Sequence, residues 1–154
     1  MPKWGYSFTK FEADEIAKAS GRDLRISPKA AREICKTISQ MKLDDAKRFL
    51  QDVINKKRAV PYRRHKKEVS HKAGIDGWYA GRYPVKAAKE ILRVLDSLEA
   101  NAETKNLDIE RLKIVHAAAQ RARVIKRYIP RAMGRSSPSF DQLCHVEFAV
   151  EEVR

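Results

Sequence analysis

Apolar residues recur every three or four positions in three segments, which is the spacing of one face of an α-helix. Ser27-Pro28 precedes the first segment, with Ser as N-cap and Pro at the first helical position. The second has Asp44 or Asp45 as its cap, and the third starts after Pro84. The three faces are Ala31, Ile34, Cys35, Ile38 and Met41; Leu43, Ala46, Leu50, Val53 and Ile54; and Val85, Ala88, Ile91, Leu92, Leu95 and Leu98. This pattern predicts three helices.

The end of the chain alternates between apolar and polar side chains, which is the period of a half-buried strand. The apolar face is Cys144, Val146, Phe148 and Val150, and the opposite face is His145, Glu147, Ala149 and Glu151. Shorter alternation predicts another strand at Asp23–Ser27. Residues 1–20 are expected to be irregular and to lie over other elements or over a partner, and their rings are Trp4, Tyr6, Phe8 and Phe11.

The segment Arg111–Arg127 fits two structures equally well. As a helix it places Leu112, Val115, Ala119, Ala122 and Ile125 on one face. As a strand it places Leu112, Ile114, Ala118, Ala122 and Val124 on one face and Lys113, Arg121, Arg123 and Arg127 on the other. The strand at Cys144–Val150 needs a neighbour, which favours a long antiparallel hairpin with arms in 111–153. Arms of ~12 residues would reach roughly 40 Å, farther than a core of this size could cover.

Positive charge is concentrated where this hairpin would turn. The chain has 33 Lys and Arg against 20 Asp and Glu, a formal net charge of +13. From Arg111 to Arg135 there are eight Lys or Arg and no carboxylate, and the turn itself is Pro130-Arg-Ala-Met-Gly-Arg-Ser-Ser-Pro138. Such a cationic loop cannot enter an apolar core, because unpaired buried charges cost several kcal/mol. A polyanion, and nucleic acid first of all, is the expected partner.

A second basic segment, 56–83, interleaves cations with aromatic rings and has no periodic apolar face. Long loops of this kind are usually functional or disordered. Rings can stack on exposed bases while cations meet phosphate, so we expect a loop that its partner orders. The alternative without a function is a flexible, solvated loop.

Catalytic and metal-binding patterns are missing from the sequence. The four histidines are too widely spaced for a zinc finger, and Cys35 and Cys144 form no C-x-x-C motif and are expected to be buried fillers. No phosphate-cradling glycine motif occurs. We therefore predict no enzymatic activity, no metal and no cofactor. Without a run of eighteen apolar residues or a signal-peptide core, we also predict no membrane partner and a cytoplasmic location.

Two motifs carry a resemblance to a known family. They are Pro130-Arg-Ala-Met-Gly-Arg135 followed by His145-Val146, and Gly77-Trp-Tyr-Ala-Gly-Arg-Tyr-Pro84 preceded by His71-Lys72. With them the chain resembles large-subunit ribosomal protein twenty-two (universal numbering), in its archaeal and eukaryotic branch, from about Asp23 to Val153. Some eukaryotic members of this family have long C-terminal extensions. This chain stops at Arg154 without one, so the resemblance favours the archaeal type.

The resemblance implies one α+β domain over 1–154, with three helices on a small antiparallel sheet and one long protruding β-hairpin. It resolves 111–127 as strand by analogy and makes 56–83 an insertion of this branch. It also implies that the chain binds large-subunit rRNA, and that the hairpin tip, 127–138, lines the tunnel through which the nascent polypeptide leaves. Neighbouring ribosomal proteins are further expected partners, and no homo-oligomer is expected.

Residues of both basic segments are the expected RNA contacts. They are Lys56, Lys57, Arg58, Tyr62, Arg63, Arg64, His65, Lys66, Lys67, His71, Lys72, Trp78, Arg82, Lys113, Arg121, Arg123, Lys126, Arg127, Arg131 and Arg135. The expected tunnel-lining residues are Arg127, Arg131, Ala132, Met133, Gly134, Arg135 and Ser136. A free-standing regulatory RNA- or DNA-binding protein is the alternative function that the same basic patch allows.

Overall fold

Three helices pack against an antiparallel sheet in a computed structural model that describes residues 5–9 and 16–153. The elements are β1 Ile16–Leu24, α1 Pro28–Ile38, α2 Leu43–Ile54, β2 Val60–Pro61, β3 Gly81–Arg82, α3 Val85–Thr104, β4 Leu112–Ile125, β5 Tyr128–Pro130, β6 Ser136–Pro138 and β7 Asp141–Glu152. The predicted α+β class is confirmed. One cluster of buried apolar side chains joins the three helices to the inner face of the sheet.

The main sheet has the order β1-β7-β4, and both pairings are antiparallel. The segment that fitted either a helix or a strand is therefore a strand, β4, which pairs with β7 from Leu112↔Glu152 to Ile125↔Asp141. β1 pairs with the other edge of β7 but stops with Leu24 opposite Cys144. Beyond that point β4 and β7 continue as two strands with no third neighbour among the described strands.

The position of the first strand was predicted wrongly. β1 occupies Ile16–Leu24, so residues 16–20 are not irregular and Asp23–Ser27 is not the strand. Its inner face carries small residues, because α3 lies very close to it. A Cβ on Gly21 would lie 2.8 Å from the side chains of both Leu24 and Val94. Trp4 and Phe11 lie outside the described residues.

An irregularity in β4 changes which of its residues face the core. The register passes from Ile114↔Val150 to His116↔Ala149, so Val115 is an extra residue, a β-bulge. Strict alternation would put Ala118 on the face of Ile114. The bulge instead pairs the partly buried Ala117 and Ala119 with Phe148 and Val146, and packs them on the core.

The outer face of β7 is also covered. Glu147, which the sequence placed on the face opposite the apolar one, is only 2% exposed. The backbone N–H and the hydroxyl of Ser7 donate to its Oε2 at 3.0 and 2.7 Å, and Arg22 lies 3.4 Å from Oε1. Phe8 stacks on His116 beside them. Residues 5–9 thus lie over the sheet, as the sequence predicted for this region.

The helix boundaries follow the predicted stripes, with one correction. α1 begins at Pro28 after Ser27 as predicted. α2 begins at Leu43 with Lys42 in the capping position, so Asp44 and Asp45 belong to the first turn and are not caps. Carboxylates in a first turn still interact favourably with the positive end of the helix dipole. The two cysteines are free and buried, as predicted.

Candidate functional site

The outer part of the β4–β7 hairpin is a cationic arm without a core. No residue from Arg121 to Gln142 is buried. This stretch has six Lys or Arg and a single carboxylate, Asp141, which lies 2.9 Å from Arg25 and 4.0 Å from Arg127. Since burial does not hold the arm against the body, its conformation depends on the strand pairing and on whatever surrounds it.

The tip of the arm is a short, defined turn. β5 and β6 pair from Tyr128↔Pro138 to Pro130↔Ser136, and the N–H of Arg131 donates to the carbonyl of Arg135 at 2.8 Å. Between them Met133 and Gly134 both have positive φ, +57° and +64°. A left-handed conformation is uncommon for methionine. It leaves the Met133 side chain 91% exposed at the end of the hairpin.

A buried carboxylate on α1 fixes the start of the second basic segment. Glu33 is fully buried, and its two oxygens accept the backbone N–H groups of Arg63 at 3.0 Å and Arg64 at 3.3 Å. Arg32 balances its charge at 2.8 Å. With the backbone N–H groups held inward, the side chains of Arg63 and Arg64 are exposed.

Segment 56–83 has its own internal bonding, which corrects the expectation of a loop that only a partner orders. β2 pairs with β3, and His71 forms a bridge with Ala80. The indole N–H of Trp78 donates to the carbonyl of Tyr62 at 2.9 Å. These bonds connect the two ends of the segment. The backbone that carries its cations is therefore ordered before any partner binds.

The rings of this segment contact its own cations. Trp78 stacks on Tyr79, and the charges of Arg63 and Lys66 lie 5.6 and 5.2 Å from the Trp78 ring centre. Cation–π contacts of this kind orient flexible basic side chains. Tyr62 is buried, with Arg82 lying 6.0 Å from its ring centre. Burial raises the pKa of Tyr62, an effect that the positive charge of Arg82 opposes.

A basic groove joins the loop to the root of the hairpin. It consists of two concavities of about 650 and 640 Å³ that share Ser27 and Lys29. The loop end is lined by Tyr62, Arg64, His65, Lys66, Lys67, Arg82, Tyr83 and Pro84, and the hairpin end by Arg25, Pro28, Lys86, Arg121, Phe140, Asp141 and Gln142. Among the residues that the structure describes, eight Lys or Arg line this groove against one carboxylate, that of Asp141.

Two helices begin at the groove with a charge that their dipoles disfavour. Lys29 lies in the first turn of α1 and Lys86 in the first turn of α3, and neither turn has an acidic residue or a side-chain cap. Cations near a helix N-terminus are unfavourable, whereas anions are stabilised there. Their presence is typical of a surface that binds an external anion.

The structure brings together some of the predicted contact residues and separates others. Tyr62, Arg64, His65, Lys66, Lys67, Arg82 and Arg121 line the groove. Lys126, Arg127, Arg131 and Arg135 lie on the arm and its tip, outside the core. The remaining ones lie apart from the groove: Lys56, Lys57 and Arg58 after α2, Lys113 beside Lys42, Arg123 paired with Asp23, and Arg63, His71, Lys72 and Trp78 within the loop cluster.

Several groove residues were not among the contacts predicted from the sequence, including three cations and one exposed ring. Arg25, Lys29, Lys86 and Phe140 lie in segments assigned to helices, strands or their joins. The signal that identifies two of them is the lysine directly inside each proline-initiated helix, in the position where an acidic residue is usual. No signal in the sequence predicted that these helix starts meet the hairpin root.

Other functional classes find no support within the described ranges 5–9 and 16–153. No three His, Cys, Asp or Glu side chains in them are grouped so as to hold a metal ion. None of the helices there has both the length and the apolar content for a membrane span.

Comparison with known proteins identifies the family. The family model described as ribosomal protein L22p/L17e matches residues 19–151. The chain belongs to the ribosomal protein L22p/L17e family. It is 55% identical to the large ribosomal subunit protein uL22 of Methanopyrus kandleri, over 99% of both chains. It is 52% identical to the protein of the same name from Archaeoglobus fulgidus, over 98% of this chain and 97% of the relative.

Family membership confirms several predictions. L22p/L17e proteins are structural and not enzymes, and their place is the cytoplasmic large ribosomal subunit. The relatives from Methanopyrus kandleri and Nitrosopumilus maritimus are archaeal, in agreement with the predicted archaeal type.

Proposed function

We propose that this protein is a structural component of the large ribosomal subunit. In this role it binds large-subunit rRNA through the basic groove and the hairpin arm, and it extends the hairpin tip to line the nascent polypeptide exit tunnel. The observation that carries the proposal is the arm itself: six cations on a stretch without a buried residue, in a member of the L22p/L17e family.

Charge and shape both support RNA as the ligand. The formal net charge is +13, so in the free protein the excess positive side chains repel one another. Bound phosphates offset that repulsion. Each Lys or Arg that meets a phosphate releases counterions, which supplies affinity without reading sequence. Arginine guanidinium groups also stack on bases and bond bidentately, which suits irregular folded RNA.

The tunnel role of the tip rests on its chemistry and on the family resemblance of its motif. An anionic surrounding would pair with the arm's cations, while the 91% exposed Met133 offers a flexible, polarisable contact to a passing chain. We infer that Arg127, Arg131 and Arg135 contact RNA around the tunnel and that Met133 faces its lumen. Neighbouring ribosomal proteins are further partners under this proposal, and no homo-oligomer is required.

Two measurements test the proposal. In sedimented extract from cells that make the protein, nearly all of it should travel with large subunits and remain through moderate-salt washes. A photoreactive amino acid at position 133 should crosslink to nascent chains on stalled ribosomes. A mostly free pool would instead favour the regulatory RNA- or DNA-binding alternative, and crosslinks to rRNA alone would remove the tip from the lumen.

A further inference from the structure

The hairpin end of the basic groove differs from the rest of it in having an exposed aromatic wall. Phe140, just before β7, is 49% exposed and lines a concavity of about 640 Å³. That volume lies within the roughly 300–1,000 Å³ of pockets that hold small molecules. Tyr128 contacts the Phe140 ring edge-to-face, with ring centres 5.8 Å apart, and so helps to fix its orientation.

Three cations from three different elements converge on the same concavity. Lys29 comes from α1, Lys86 from α3 and Arg121 from β4, and all three are exposed. None of them forms an ion pair with a carboxylate of the described residues. Their mutual repulsion costs the free protein stability, and a bound anion would offset it.

Asp141, which is the one acidic residue among the described lining of this concavity, is already paired with arginines. Asp141 lies 2.9 Å from Arg25 and 4.0 Å from Arg127. Its charge therefore does not cancel those of Lys29, Lys86 and Arg121. The concavity therefore combines the exposed ring of Phe140 with the positive charges of Lys29, Lys86 and Arg121, which are unpaired among the described residues.

We propose that this concavity takes one unstacked nucleotide of an RNA, with its base against Phe140 and its phosphate at Lys29, Lys86 and Arg121. The inference rests on the proposed RNA-binding function and adds the kind of RNA feature bound. A base in a regular duplex is stacked between neighbours, so only a bulged, looped or flipped nucleotide can present a ring and a phosphate together. An acidic protein segment would use the cations but has no need of the ring wall.

The test uses two RNA hairpins that differ only in one bulged 2-aminopurine. The full-length protein should bind the bulged hairpin about tenfold more tightly than the fully paired one, within the range for one base stacked on an aromatic side chain. Binding should also quench the 2-aminopurine fluorescence. Phe140→Leu should abolish both the preference and the quenching, whereas Phe140→Tyr should keep both.

Matched variants separate the phosphate contacts from general charge loss. Lys29→Gln with Lys86→Gln should weaken binding of the bulged hairpin severalfold. Its control, Lys36→Gln with Lys89→Gln, removes the same charge from exposed positions of α1 and α3 that do not line the concavity. Binding by the control should stay near that of the unaltered protein. Thermal melts should show that every variant is folded, since none of these side chains is buried. Lys29→Gln with Lys86→Gln should melt no lower than the original, because it removes charges that repel one another and oppose the helix dipoles.

The outcomes distinguish this site from the broader function. If the protein binds large-subunit rRNA but does not discriminate between the two hairpins, or if Phe140→Leu discriminates as well as the original, the nucleotide site is refuted and the proposed function stands. If it binds neither hairpin nor large-subunit rRNA in dilute buffer, the proposed function fails as well.

Discussion

The carboxylate of Glu33 accepts the backbone N–H of Arg63 at 3.0 Å, linking the middle of α1 to the start of the basic loop. Glu33 is completely buried, while the side chain of Arg63 is exposed. The core thus holds the backbone of a segment whose side chains form part of the outer surface. The position of the loop's cations therefore depends on a residue that no partner can touch.

Replacing Glu33 should loosen this connection. Glu33→Ala leaves two inward N–H groups without an acceptor, at a cost of about 1–3 kcal/mol in the free energy of unfolding. Denaturant titration measures that loss, and hydrogen exchange should show faster exchange at Arg63 and Arg64. Glu103→Ala, which removes an exposed carboxylate of α3, serves as the control. Unchanged exchange at both amides would contradict the anchoring role.

Close packing between β1 and α3 predicts a second core effect. Gly21→Ala introduces a Cβ that would lie 2.8 Å from Leu24 and Val94, so these side chains or α3 must shift. Overpacking of this kind costs about 1–3 kcal/mol, measurable as a lower denaturation midpoint. Gly5→Ala adds a Cβ that has no atom of the described residues within 4 Å and should leave the midpoint in place. An unchanged denaturation midpoint for Gly21→Ala would mean that α3 does not pack closely against β1 at Gly21.

The buried carboxylate of Glu147 predicts a pH dependence. Burial alone would raise its pKa, yet the hydrogen bonds from Ser7, together with the charges of Arg22 and His116, hold it below the ordinary 4.5. A group with a depressed pKa in the folded state stabilises the fold above its unfolded pKa, and loses that contribution as the pH falls through the folded value. Stability should therefore decrease below about pH 4.5.

Variants at the same pair of residues check that assignment. In Glu147→Gln the stability lost between neutral pH and about pH 3.5 should be smaller than in the original protein, because one linked carboxylate is gone. Ser7→Ala should also make this loss smaller, because without the hydroxyl the folded-state pKa of Glu147 rises towards its unfolded value. Denaturant midpoints at several pH values measure both effects, and identical pH profiles for all three proteins would argue against the hydrogen bond.

Removing the hairpin tip should leave the body intact. Deletion of Arg131–Ser137 removes no buried residue, so the isolated variant should still fold and unfold cooperatively in a denaturant titration. Subunits assembled with the shortened protein should differ in their response to nascent chains and to compounds that bind in the tunnel. Unfolding of the isolated deletion variant would show that the tip is part of the core structure.

Removal of the loop cations should appear in the salt dependence of RNA binding. Changing Arg63, Arg64, Lys66 and Lys67 together to Ala should reduce the log–log slope of affinity against salt by up to roughly 0.9 for each phosphate that is no longer neutralised, on the duplex DNA scale. A control with the exposed residues Lys36, Arg48, Lys89 and Arg93 changed to Ala removes equal charge outside the groove. Equal slopes in the two variants would place the loop away from RNA.

The sequence predicted the elements whose large apolar residues are periodic, and missed those built from small residues. α3 could be predicted because Ile91, Leu95 and Leu98 repeat at helical spacing. β1 alternates too, but with Ala17, Ala19 and Gly21, whose small size suits close approach by α3 and gives almost no hydrophobic signal. The first strand was therefore placed several residues too late.

Features that depend on register or on distant segments could not be read from periodicity. In the sequence, Val115 looks like any other strand residue. In the structure it forms a β-bulge, which turns the side chains of Ala117 and Ala119 towards the core. The basic groove likewise joins Lys29, Lys86 and Phe140, which lie far apart along the chain. Local sequence identified much of the basic surface, and only the tertiary structure shows its concave part.

The strand order β1-β7-β4 also has a consequence for how the protein is made. The central strand comes last along the chain, with Ile16 pairing to Glu151, so the two outer strands of the sheet must wait for it during synthesis. Such distant pairings form slowly. Until residues 141–152 have left the ribosome that is translating them, both flanking strands have an unpaired edge. At that stage the nascent protein is most prone to aggregate or to bind the wrong RNA.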